Sequence, residues 1–201
     1  MLEAIRRRWS PRAWTAEPLP AGAIAALFEA ARWAPSSFNE QPWRWLVAGR
    51  EDPNAFALLL SCLGEWNQRW ARRAGALALA VTREQFSRNE KSNHHAWYDL
   101  GQACALMAVQ AAALGLQTHQ MGGIDPERAR QVYGVPAGYQ VVTGIAIGRP
   151  GDPAALDDEG MRESELAPRR RRPLAESVFA GRWGEPHPAF GPPGNRREEA
   201  P

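Results

Sequence analysis

The chain has 201 residues and a formal charge of +2, from 24 basic and 22 acidic side chains, and 44% of it is apolar. That suits a single domain with a real core, and the near balance of charge gives no general argument for a nucleic-acid binder. Two cysteines, Cys62 and Cys104, are too few for a disulfide framework or a Cys-rich zinc site, and both sit in apolar runs that suit buried free thiols. The cations are 23 Arg and one Lys, Lys91. This bias reflects either genomic composition or tasks that Lys cannot perform. The N-terminus lacks the charged-then-apolar order of a signal peptide, and the apolar run 103–116 is too short to span a bilayer. A soluble cytoplasmic protein is therefore expected.

Residues 1–16 read as a basic, Trp-containing arm. Ile24, Leu27, Phe28 and Ala31 recur at helical spacing and predict a helix over 20–33, stopped at Trp33-Ala34-Pro35. A polar loop, 36–42, leads into a strand at 43–47. Asp52 is placed to cap a helix that runs to about Leu63. Residues 76–82 suggest a short buried strand and 84–95 a loop. A long helix follows, with Asp99 in its first turn, through Leu114 to a stop at Gly115. Asp125-Pro126-Glu127 opens another helix that ends near Tyr133-Gly134, and 139–147 is the clearest strand. Residues 151–168 read as an acidic loop, 169–179 as an Arg-rich segment, and 184–201 as a disordered Gly/Pro-rich tail. Alternating strands and helices imply an α+β or α/β protein.

Four segments have side chains suited to binding. Arg8-Trp9-Ser10-Pro11-Arg12 offers two guanidinium forks and a hydroxyl, which match phosphate geometry; the plainer reading is a solvated basic arm. The segment from Pro35 to Trp43 sets short polar side chains and backbone amides between a helix end and a strand, as a ligand loop or as an ordinary turn. Residues 115–125 contain His119 and the pair Gly122-Gly123, where a ligand can approach the backbone closely. A lone His there reads first as a satisfied polar residue, without a metal-spaced partner. The run Arg169 to Arg172, followed by Pro173-Leu174, is a solvated run, a nucleic-acid patch or a phosphate clamp. The sequence contains no Walker loop, Rossmann glycine fingerprint or nucleophile elbow. An enzyme of this kind takes its reactivity from a bound cofactor.

Taken in order, these segments resemble the nitroreductase family of FMN-dependent NAD(P)H oxidoreductases. Arg8 to Trp14 follows the family's Arg-Arg-Ser-x-Arg-x-Phe pattern, with Trp9 and Trp14 as variants. Residues 34–43 match Ala-Pro-Ser-Ser-x-Asn-x-Gln-Pro-Trp at every fixed position. Tyr98-Asp99-Leu100-Gly101, Met121-Gly122-Gly123, Ile147 to Pro150, and the Arg-x-Arg-x-Pro-Leu pattern at 169–174 continue the likeness over about residues 3–180. The resemblance implies an α+β fold with a central, mainly antiparallel sheet flanked by helices, over a domain at 1–183. It also implies an intertwined homodimer with FMN at the subunit interface. By position, Arg8, Ser10 and Arg12 would contact FMN, with Arg12 nearer the pyrimidine end of the ring. Pro35, Ser36, Ser37 and Asn39 would contact it from the other subunit. Met121, Gly122 and Gly123 would lie along the ring, and Arg169 and Arg171 would clamp the phosphate. Asn67 matches an Asn that some relatives place against the flavin; three residues later, where those relatives carry Lys, stands Trp70. Trp66 and Trp70 are expected to pack, and Trp43, Trp45 and Trp97 to lie in the core or an interface. The implied activity is ping-pong transfer of hydride from NAD(P)H to a nitroaromatic or quinone acceptor, with chemistry at flavin N5 and no metal or catalytic side chain. Relatives that dehalogenate, desaturate or consume flavin mark a second reading. A non-enzymatic basic module is a third, opposed by the charge balance and by Asp157-Asp158-Glu159.

Overall fold

The computed structural model describes residues 1–190 and forms two compact units, Met1–Leu166 and a second beginning at Ala167. The elements in chain order are α1 (Glu3–Arg7), α2 (Ala23–Arg32), β1 (Trp43–Gly49), α3 (Pro53–Leu60), α4 (Glu65–Ala71) and β2 (Ala76–Arg83). They continue with α5 (Ala96–Ala113), β3 (Gln117–Met121), α6 (Pro126–Tyr133), β4 (Tyr139–Gly148) and α7 (Glu159–Leu166). The strands form one sheet in the order β1-β2-β4-β3, and every neighbouring pair is antiparallel. The fold is α+β, with the central antiparallel sheet the resemblance implied.

Strand β2 explains the layering. Its residues alternate between faces, and both faces are buried, so it reads as one continuous apolar run. Ala76, Ala78 and Ala80 share a core with Leu27 and Ala31 of α2 and Leu100, Ala103 and Met107 of α5. Leu77, Leu79 and Val81 face the other core, with Phe56 and Leu59 of α3 and Trp70 of α4. Small alanines on one face let α5 approach the sheet closely; larger leucines fill the other. Cys104 is buried beside α5's core residues, and burial pushes its thiol up to about 12; Cys62 is buried and raised as well, by desolvation first. Among the described residues no helix is long and apolar enough to cross a membrane.

The caps form as their residue types dictate. Asp52 Oδ1 accepts from Asn54 N at 3.1 Å and Ala55 N at 3.0 Å, and Asp125 Oδ1 accepts from Arg128 N at 2.8 Å. Gly115, at φ +71°, takes the left-handed conformation that ends α5.

The structure refines four of these readings. The helix expected from Asp52 to Leu63 ends at Leu60, and a separate α4 starts at Glu65. Gly64 interrupts them because its N–H is committed to Gly123 O at 2.9 Å. The N-terminal arm begins with a short helix, α1. Residues 117–121, within the candidate segment 115–125 to which no element was assigned, are the edge strand β3. The acidic stretch 151–168 contains α7, started by Asp158, whose Oδ1 accepts from Met161 N at 2.9 Å while Met161 itself is buried. In the C-terminal unit, His187 N donates to Val178 O at 2.8 Å and Ala180 N to Glu185 O at 3.0 Å. Of the tail expected at 184–201, residues 191–201 lie outside the described residues.

Candidate cofactor site

The structure gathers the expected site residues of the first unit into two groups. The first is built on β3. Residues 8–13 form no regular element, so their backbone groups need partners from elsewhere. Gln117 Oε1 accepts from Trp9 N at 3.0 Å, and its Nε2 donates to Arg7 O at 3.4 Å. His119 Nδ1 lies 2.9 Å from Pro11 O; a carbonyl only accepts, so the ring carries its proton on Nδ1. Glu165 Oε1, from α7, accepts from both Arg12 N at 2.6 Å and Ala13 N at 2.7 Å. So held, the arm sets Arg8 Nη1 3.5 Å from Ser10 Oγ. Arg12 lines a 320 Å³ cavity with Trp66, Asp158, Met161 and Ser164.

Strand β3 runs straight into Met121-Gly122-Gly123. Asn67 of α4 fixes this turn, its Nδ2 donating to Gly123 O at 2.8 Å. A Cβ on Gly123 would stand 2.7 Å from that same Nδ2, so the Asn67 amide would have to shift from its present place for any larger residue. A Cβ on Gly122 would meet nothing within 4 Å, so the space beside that backbone is open. Trp70 lies one turn after Asn67, only 1% exposed, its ring centroid 4.5 Å from that of His119. Trp70 therefore packs as expected. Trp66 does not: it is half exposed and lines the Arg12 cavity with Arg69 4.8 Å over its ring.

The second group sits on the first turn of α5. Buried Asp99 accepts from Ser37 N at 3.0 Å, and Pro35, Ser36 and Ser37 line a 330 Å³ cavity with His95, Tyr98 and Gln102. Phe38, Asn39 and Gln41 all have φ between +51° and +55°, a conformation that costs roughly 1–3 kcal/mol at each non-glycine residue. The surroundings enforce it. Ser36 Oγ accepts from Gln41 N at 3.0 Å, and Glu40 receives Ser87 N at 2.8 Å. Phe38 is 71% exposed with the Arg88 guanidinium 3.8 Å over its ring, a feature the sequence reading did not single out.

Arg169 and Arg171 belong to the C-terminal unit, in an exposed extended segment. Arg171 Nη1 donates to Arg170 O at 2.8 Å. Gln117 and Glu165 were missed as candidates. In sequence they are one polar residue beside an apolar helix end and one acid in an acidic run, with no local signal of their distant partners. His119 is the satisfied polar residue its setting suggested.

Burial and the nearby Arg12 cation hold His119 below its ordinary value near 6.5, against the opposing pull of the Pro11 carbonyl. The unfolded chain therefore takes up this proton before the folded one does. The resulting stability is whole above about pH 6.5 and is lost as pH falls through the lowered folded value. Melting temperatures between pH 7.5 and 5 should fall less steeply in His119→Phe than in the natural protein; equal slopes would contradict the assignment.

The donors fit a flavin nucleotide. Adjacent guanidinium and hydroxyl groups at Arg8 and Ser10 suit a phosphate, and the open backbone at Gly122 suits the edge of a flat ring. A family model described as the Nitroreductase family matches residues 5–63 and 52–149. The chain belongs to the nitroreductase family. Within it, the chain resembles the crystal structure of an oxidoreductase containing FMN at 35% identity and a TM-score of 0.85, covering 91% of this chain and 92% of that one. A Desulfovibrio desulfuricans protein crystallised in complex with FMN is 28% identical with a TM-score of 0.69, over 92% of this chain and 96% of that one. An NADH dehydrogenase of Thermus thermophilus is 28% identical over 179 residues, covering 74% of this chain and 85% of its own length.

Proposed function

We propose that this nitroreductase-family chain is an FMN-dependent oxidoreductase that takes hydride from NAD(P)H and reduces an electron-poor acceptor of the nitroaromatic or quinone type. The observation that carries the reading is the joining of the Arg8–Arg12 arm to β3, which continues into the Asn67-held turn at Gly122-Gly123. The 35% likeness to an FMN-containing oxidoreductase supports it. Bound FMN would supply a carrier that takes up hydride in one half-reaction and gives it up in the next.

The chain's own residues bind and orient. Arg8 and Ser10 would hold the phosphate side, because guanidinium forks match phosphate oxygens bidentately, and Arg169 and Arg171 of the C-terminal unit carry the same fork and are proposed as phosphate ligands. Arg12 would supply a cation for the pyrimidine end, where it would favour the reduced, negatively charged form. Met121, Gly122 and Gly123 present main chain to the ring edge. Pro35, Ser36, Ser37 and Asn39 complete the site from a second copy of the chain. Helix α5 supports that dimer: it leaves Trp97, Tyr98 and Leu106 exposed on a single protomer, with Leu114 exposed just past its end. Trp97, expected in core or interface, is 55% exposed here and is assigned to the interface. No side chain is required as acid or base, and solvent supplies protons.

Initial rates measured against NADH or NADPH at several fixed acceptor concentrations test the cycle. Parallel double-reciprocal lines are expected, because the first product leaves before the acceptor enters. Intersecting lines would contradict the ping-pong order. Turnover of substrate without any nicotinamide would move the chain to the dehalogenating or desaturating branch.

A further inference from the structure

The arm that bears Arg8, Ser10 and Arg12 has no secondary structure of its own, so something else must set where those side chains point. Three side chains do this, and all bond to main chain rather than to the arm's side chains. Gln117 and His119 sit two residues apart on β3 and therefore on one side of the strand, where they take Trp9 N and Pro11 O. Glu165 reaches the arm from α7, 153 and 152 residues along the chain from its partners, and one carboxylate oxygen receives two consecutive N–H groups at 2.6 and 2.7 Å. Bonds to an ionised oxygen are the strong class, and a pair converging on one atom fixes the direction of the intervening peptide. That peptide joins Arg12 to Ala13. Ala13 is buried and its carbonyl accepts from Gly151 N at 2.9 Å, so this end of the arm is held on both sides.

We propose that Glu165 is a positioning residue for the flavin site. It fixes the main chain of Arg12, and with it the guanidinium assigned above to the pyrimidine end of FMN, while His119 fixes the residue before. This rests on the FMN reading above, and Glu165 itself touches neither cofactor nor substrate. Helix α7 thus acts as the clamp on the cofactor arm, which gives the acidic stretch 157–165 a task beyond solvation.

The test compares the natural protein with Glu165→Ala, Glu165→Gln, His119→Phe and Arg8→Ala, each stripped of flavin and titrated with FMN. The midpoint potential of the reloaded protein is then measured. Glu165→Ala should bind FMN about tenfold more weakly, the loss of one charge-assisted interaction, and its potential should move to a more negative value as Arg12 loses its aim. Glu165→Gln retains an oxygen in the same place and should stay within about threefold, with the potential restored. A purely structural glutamate would lower the melting temperature without moving the potential. Natural affinity and potential in Glu165→Ala would overturn the proposal, as would a Gln variant no better than the Ala variant. Should Glu165→Ala fail to fold, His119→Phe decides: it keeps a ring against Trp70 and loses the imidazole's bonds to the arm's main chain, and unchanged FMN binding there overturns the proposal. If the natural protein takes up no FMN, the functional reading has failed. If it does, and Arg8→Ala alone is weakened, only the role of Glu165 has failed.

Discussion

Trp70→Ala should destabilise the protein by about 3–5 kcal/mol, the range for truncating a large buried aromatic, read as a lower denaturant midpoint at unchanged slope. The side chain is 1% exposed and belongs to the core cluster of Leu59, Leu63, Leu77 and Leu79. It is also the surface on which His119 rests, at 4.5 Å between ring centroids. Removing the indole leaves a cavity under β3 at the residue that holds Pro11, so the cofactor arm should loosen with the core. Trp70→Phe should cost far less. Among the described residues the Trp70 indole N–H has no hydrogen-bond partner, so phenylalanine keeps most of the contact while removing a buried donor. An alanine variant as stable as the natural protein would contradict this packing. The departure from relatives that carry Lys at this position thus has a physical account: α4 supplies core packing at residue 70.

Arg8→Ala and Arg171→Ala should each weaken FMN binding by roughly ten- to a hundredfold, from the 1.5–3 kcal/mol carried by a hydrogen bond to a charged group. Fluorescence titration of flavin-free protein reads the loss directly. Arg8→Lys should recover only part of it, since an ammonium keeps the charge but not the planar fork. Unchanged affinity in both alanine variants would remove the phosphate assignment.

The sequence revealed those parts of the fold whose partners are near in the chain or whose pattern is self-contained. Strand β2 is apolar at nearly every position because it is buried on both faces, and α6 shows its cap, its first-position proline and its terminal glycine in order. Strand β3 was illegible for a matching reason. It is a polar edge strand, and the side chains of Gln117 and His119 are spent on the N-terminal arm over 100 residues away. Helix α7 hid within an acidic run, because its capping Asp158 is one acid among several and Glu165 binds a backbone 153 residues distant. Asn67 was found through its motif, but not the reason for it, the carbonyl of Gly123. Residue types at the site were thus readable in sequence; what holds them was not, because those bonds join side chains to backbone across the chain.

The account stands most directly on flavin binding. The purified protein should be yellow or become so on reconstitution, with one FMN bound per chain in a saturable titration. Anaerobic NAD(P)H should bleach the colour, and a nitroaromatic or quinone should return it. A folded protein that stays colourless and takes up no FMN at any concentration would contradict it.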